Sequence, residues 1–120
     1  MEVPSEIVAG KLLQNYGDIA ELAARAGGDV LRDWRGRFAV SAKGPRDLVT
    51  EADVASQKTI REIVLSRFPN HGFIGEEGDQ DPNVSPLRWM VDPLDGTSNY
   101  VHGFPAYCVS VALAYRDEIL

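Results

Sequence analysis

Trp89-Met90-Val91-Asp92-Pro93-Leu94-Asp95-Gly96-Thr97 carries an apolar run into two carboxylates, a glycine and a hydroxyl. The first three residues read as the end of a buried strand. Pro93 and Gly96 punctuate the turn that follows, so both aspartates are expected at a strand mouth. Acidic groups placed there must be paired, solvated or metal-bound.

Working outward, Phe73-Ile74 makes a second brief strand that also ends in acid, at Gly75-Glu76-Glu77. If the two strands are neighbours, Glu76, Asp92 and Asp95 share one site. Ala106 to Tyr115 alternates, with Val109, Val111, Leu113 and Tyr115 on one face and smaller residues opposite, as a strand requires. Arg116-Asp117-Glu118 reads as a hairpin turn and Ile119-Leu120 as the start of a returning strand. Gly78 to Pro86 is polar, with two prolines, and reads as an exposed loop.

Ile19, Leu22, Ala23, Ala26, Val30, Leu31 and Trp34 recur at helical spacing, with Gly27 and Gly28 weakening the middle. Ile7, Leu12 and Leu13 either extend this helix or form a separate one, with Gly17-Asp18 as the break and Asp18 as its N-cap. Phe38 to Val40 suggests a short strand, and Lys43-Gly44-Pro45-Arg46 a mobile turn whose lysine closes over an anion. Thr50 to Phe68 supplies a second helix, with Ala52, Ala55, Ile60, Ile63 and Val64 inward, Asp53 near its start and Pro69 after its end.

The 120 residues suit one domain or part of one, and 44% apolar with 25% charged residues is ordinary for a globular protein. A net charge of −6 leaves no electrostatic footprint for nucleic acid. No apolar run is long enough to span a bilayer, and the N-terminus lacks the order of a secretory signal. The single cysteine, Cys108, forms no internal disulfide and reads as a small buried strand residue, which favours a cytoplasmic setting.

Carboxylates without a His or Cys cluster favour hard Mg²⁺, with Mn²⁺ as the second choice, over zinc. Two such ions activate water and stabilise a leaving oxygen. Gly96 allows close backbone approach, and the Gly96 and Thr97 amides suit a phosphate. Thr97 can orient the attacking water, with Asp53 to take its proton. Taken alone, Asp53 also fits a plain N-cap and Glu76-Glu77 a solvated loop, while His71 and His102 read as loop residues rather than ligands. The chemistry expected of the whole corner is metal-assisted phosphomonoester hydrolysis. Aspartyl-phosphate enzymes need acids two apart, and here position 93 is proline. An EF-hand needs a longer loop of alternating ligands.

These residues resemble the inositol monophosphatase family, whose first signature is an acidic strand end followed by Asp-Pro-Ile/Leu-Asp-Gly-Thr. Trp89 to Pro105 matches it almost throughout. Asp47-Leu48-Val49-Thr50 with Asp53, and Gly75-Glu76-Glu77, match two upstream landmarks in order. The resemblance implies an α+β chain, the N-terminal part of a layered αβαβα sandwich with two helices on a mainly antiparallel sheet. It assigns residues 1–120 to the N-terminal portion of that domain, truncated at the C-terminus, because a later Trp-Asp signature carrying another metal ligand is missing.

By the same resemblance, Glu76, Asp92 and the Leu94 carbonyl bind one Mg²⁺, and Asp92 and Asp95 a second. Thr97 and Asp53 activate water, Glu76, Leu94, Asp95, Gly96 and Thr97 face the substrate, and Lys43 is the mobile-loop lysine. The implied substrate is a small phosphorylated alcohol: inositol monophosphate first, histidinol phosphate or another sugar phosphate as alternatives. The competing expectation is a noncatalytic fragment that binds metal and phosphate. Homodimerisation is common in that family.

Overall fold

The structure, a computed structural model, describes residues 3–5, 10–35, 37, 45–76, 85–116 and 118–120, with 45–50 as backbone only. The expected strand at 38–40, the loop at 78–84, Lys43, Glu77 and Asp117 lie outside the described residues.

Helix α1 spans Gly10–Arg35 and helix α2 spans Pro45–Arg67. On α1 the core-facing row is Tyr16, Ala20, Ala23, Gly27 and Leu31, each three or four residues from the last. Gly17-Asp18 therefore makes no break and Asp18 caps nothing. The helix runs through both because the row already begins at buried Tyr16, whose ring meets Phe68 edge-to-face at 5.1 Å. Leu22, expected inside, is 47% exposed, since it falls one position off that row.

Helix α2 begins at Pro45 rather than Thr50, so Pro45-Arg46 opens a helix instead of ending a turn. Proline suits that first position, where its fixed φ is already helical and its missing N–H would have no partner anyway. Ala52, Ser56, Ile60 and Val64, each four residues apart, are all fully buried. The two helices cross closely at Gly27, where a Cβ would lie 2.7 Å from Ile60 Cδ1. Ser56 seals the crossing by donating its hydroxyl proton to the Gly27 carbonyl at 3.1 Å.

Strands β1 (Gly72–Gly75), β2 (Leu87–Asp95), β3 (Cys108–Tyr115) and β4 (Glu118–Ile119) form one sheet in the order β1-β2-β3-β4. β1 and β2 are parallel, and the other two pairings are antiparallel. The result is a mixed, open sheet with two helices on one face, as the α+β reading requires. Phe73, Trp89, Val91 and Leu113 point from that face into the main core with Tyr16, Ile60 and Val64.

Trp89, fully buried, donates its indole N–H to His71 Nδ1 at 3.1 Å. His71 in turn stacks on Phe68 at 4.8 Å. Burial holds the imidazole below its usual pKa, so it stays neutral and keeps the lone pair that Trp89 needs. His71 is thus a loop residue by position and a core residue by contact.

Pro93 is not in a turn. Strand β2 continues through Asp92-Pro93-Leu94-Asp95, and the register against β3 slips there. Such a bulge leaves one residue outside the ladder, which is where a residue without an N–H costs least. A second, smaller core of Leu31, Ala52, Leu94 and Tyr100 lies beneath the short helix α3 (Thr97–Val101). Among the described residues no helix is long and apolar enough to cross a membrane.

Candidate active site

The slip in β2 decides which way the acids point. Asp92 pairs with Ser110 and Asp95 with Cys108, so three steps along β2 match two along β3. Ser110 and Cys108, two apart, lie on one face of β3, and their partners must lie on the same face. In a regular strand, acids three apart would point to opposite faces. The extra residue brings Asp92 and Asp95 together.

Glu76 joins them from β1. The parallel register places Gly75 beside Val91, so Glu76 falls next to Asp92, and its N–H donates to the Val91 carbonyl at 3.3 Å. Glu76 and Asp92 line one concavity of about 410 Å³ with Ile74, Met90 and Ser110, on the sheet face away from the helices. The face is polar along one end and apolar along the rest, with Met90 42% and Ile119 62% exposed.

Leu94, Asp95, Gly96 and Thr97 follow Asp92 directly along the chain. Asp92 Oδ1 accepts a hydrogen bond from the Leu94 N–H at 3.2 Å, which fixes the carboxylate against its own bulge. Leu94 is buried and Asp95 and Thr97 are exposed. Gly96 has φ +91°, and a Cβ there would lie 2.9 Å from the Ala106 carbonyl oxygen, so both conformation and space require glycine. Thr97 is the first residue of α3 and its hydroxyl-bearing side chain faces outward.

Asp53 is half-buried in the third turn of α2, not at its start, and so is not the N-cap it resembled in sequence. The helix gained a turn ahead of it at Pro45. Asp53 lies close enough to Tyr100 of α3 to act on its ionisation. Burial first, then Tyr107 and Asp53, push the Tyr100 hydroxyl up to about 12. The protonated phenol donates to the Leu31 carbonyl at 2.6 Å.

Several residues that hold the corner in place carried no signal in the sequence. Tyr100 reaches α1 across 69 residues of chain and Arg35 reaches the Gly103 carbonyl, at 3.1 Å, across 68. Asn99 Nδ2 donates to the Ala106 carbonyl at 2.8 Å, closing the loop after α3. Alternation along β3 made Ser110 and Ala112 findable as further residues of this face. Cys108, expected inside, is exposed, because it opens β3 on the acidic face, with its Sγ 3.9 Å from Asp95 Oδ2.

The donor chemistry fits a hard divalent cation: carboxylates and a backbone carbonyl, with no histidine on the face. Among the described residues no three His, Cys, Asp or Glu side chains gather into a formed cage. The acids instead sit as neighbours along two adjacent strand ends.

A family model described as the inositol monophosphatase family matches residues 13–120. The Aquifex aeolicus protein named fructose-1,6-bisphosphatase/inositol-1-monophosphatase is 41% identical over 109 residues, covering 88% of this chain and 41% of that protein. A histidinol-phosphatase from Chlorobaculum parvum is 42% identical over 95 residues, covering 78% of this chain and 36% of the relative. Among solved structures, inositol monophosphatase from Anabaena superposes with a TM-score of 0.74 at 38% identity, covering 89% of this chain and 38% of that one. The chain spans about two fifths of the length of these relatives.

Proposed function

Because the chain belongs to the inositol monophosphatase family, we propose that its acidic corner is the N-terminal share of a Mg²⁺-dependent phosphomonoesterase site. The observation that carries this reading is the β2 bulge, which turns Asp92 and Asp95 onto one face beside Glu76. Glu76, Asp92, Asp95 and the Leu94 carbonyl would hold the ions, Mg²⁺ or Mn²⁺, which when bound neutralise phosphate charge and sharpen the attacking water.

The chain's own groups have separate parts. Gly96 lets the backbone approach the phosphate, whose oxygens the amides at the start of α3 receive. Thr97 accepts a hydrogen bond from the water and orients it toward phosphorus, while Asp53, in the adjoining helix, takes the proton. The water oxygen bonds to phosphorus as the ester P–O bond breaks, and the leaving alkoxide takes a proton from solvent to depart as the alcohol. Lys43 belongs to this reading as an anion-closing residue.

The alcohol is inositol in the first instance, following the names of most relatives. Nearly equal identity to a histidinol-phosphatase supports a second candidate, histidinol phosphate, on the same machinery. A second reading, a module that binds metal and phosphate without turnover, is supported by the chain's spanning about two fifths of the length of its relatives.

Phosphate release from inositol 1-phosphate and histidinol phosphate, with and without Mg²⁺, separates these readings. The measurement compares this chain, its Asp92→Asn and Thr97→Ala variants, and a chain extended to the relatives' length. Mg²⁺-dependent release that both substitutions abolish is the expected result in the extended chain. Equal release from the extended chain and its Asp92→Asn form would sink the hydrolase reading.

A further inference from the structure

Helix α1 passes the start of β3 and leaves a cavity of about 530 Å³ beside the acidic corner, which the cavity meets at Cys108. Arg25, Arg32 and Arg35 line it from one side, and Tyr107 and Cys108 from the other, over a floor that includes Leu31. The arginines are spaced seven and three residues apart, which places them on one side of the helix. Among the described residues no carboxylate lines the cavity, in a chain of net charge −6. We propose that this is an anion site for a small organic phosphate, with the guanidinium groups on the phosphate and an aromatic or apolar body against Tyr107 and Val109.

The three arginines are prepared to different degrees. Arg35 is held in place: it donates to the Gly103 carbonyl at 3.1 Å and its guanidinium lies 5.7 Å from the centre of the Tyr107 ring. A guanidinium carries five N–H donors, so the one spent on Gly103 leaves others for an anion. Arg25 and Arg32 pair with Glu21 and Asp29 on the exposed helix surface, and neither of those acids lines the cavity.

Exposed pairs of this kind contribute little, because solvent screens both charges. A bidentate guanidinium–phosphate contact is stronger, because both partners are charged and two parallel hydrogen bonds form at once. An arriving phosphate therefore outcompetes the surface acids for Arg25 and Arg32. Through Arg35 the occupant also touches the loop that follows α3. The guanidinium contacts need no metal, and the cavity adjoins the acidic corner through Cys108.

The test uses phenylphosphonate, which cannot be hydrolysed, titrated calorimetrically into the chain in the presence of a chelator. Binding is expected, weakened about tenfold by Arg32→Gln, which is about 1.4 kcal/mol, and further by adding Arg35→Lys. Arg67→Gln, on the exposed end of α2, changes the net charge equally and should leave binding unchanged. Arg32 is 68% exposed, so its substitution does not threaten the fold. Absence of binding, equal weakening by Arg67→Gln, or no effect of Arg32→Gln overturns the proposal.

Discussion

On one side of β2, Trp89 and Val91 lie in a dry core against two helices, while Met90 and Asp92, one residue along, face outward with Glu76 and Ser110. The two faces share the same backbone and the same ladder hydrogen bonds. They differ in what each can tolerate. The packed face stabilises the fold by burying rings, and in doing so fixes the strands whose alternate residues carry the acids. The open face contributes little to stability, so it can concentrate charge that a core would reject.

Removing the largest ring of the packed face tests this division most severely. Trp89→Ala should cost about 3–5 kcal/mol in urea unfolding, through the cavity left and the loss of the bond to His71. A cost below 1 kcal/mol would mean that this face is not the source of stability. At the hinge between faces, Gly96→Ala should cost about 1–3 kcal/mol, because alanine must adopt φ +91° and press on the Ala106 carbonyl.

Smaller effects sharpen the comparison. Tyr100→Phe should cost about 1 kcal/mol in the same assay, the worth of its bond to Leu31. His71 supplies a pH signature that belongs to the packed face alone. Its folded pKa is lowered from an ordinary 6.5, so the unfolded chain binds its proton more readily. Its contribution to stability is complete above pH 6.5 and is lost as pH falls from there toward the folded value. A His71→Gln variant should show a flatter dependence of its unfolding midpoint over that window.

Asp92→Asn, on the open face, should shift stability by no more than about 0.5 kcal/mol in either direction. A loss comparable to that of Trp89→Ala would erase the distinction between faces.

The sequence was most legible where one local pattern sufficed. Alternation located β3, the acid-ended apolar runs located β1 and the mouth of β2, and helical periodicity located both helices. It misled where a contact from elsewhere decided the outcome. Gly17-Asp18 looked like a break because the seat of Tyr16 against Phe68 is invisible along the chain. Asp53 looked like a cap because Pro45 had been read as a turn.

Pro93 looked like the end of β2, yet a bulge absorbed it, and that bulge is what brings the two aspartates together. The acids themselves were readable from their spacing and company. The ties that position them were not: Tyr100 to Leu31 and Arg35 to Gly103 join residues too far apart in sequence for any local pattern to reveal.

The central claim is that the bulge makes Asp92 part of a cation site on the open face. Mn²⁺ binding followed by electron paramagnetic resonance, in the chain and in its Asp92→Asn variant, tests it without relying on turnover. The account predicts bound Mn²⁺ that Mg²⁺ displaces and that Asp92→Asn loses while its unfolding midpoint stays unchanged. Equal Mn²⁺ binding by the two chains, or none by either, would contradict it.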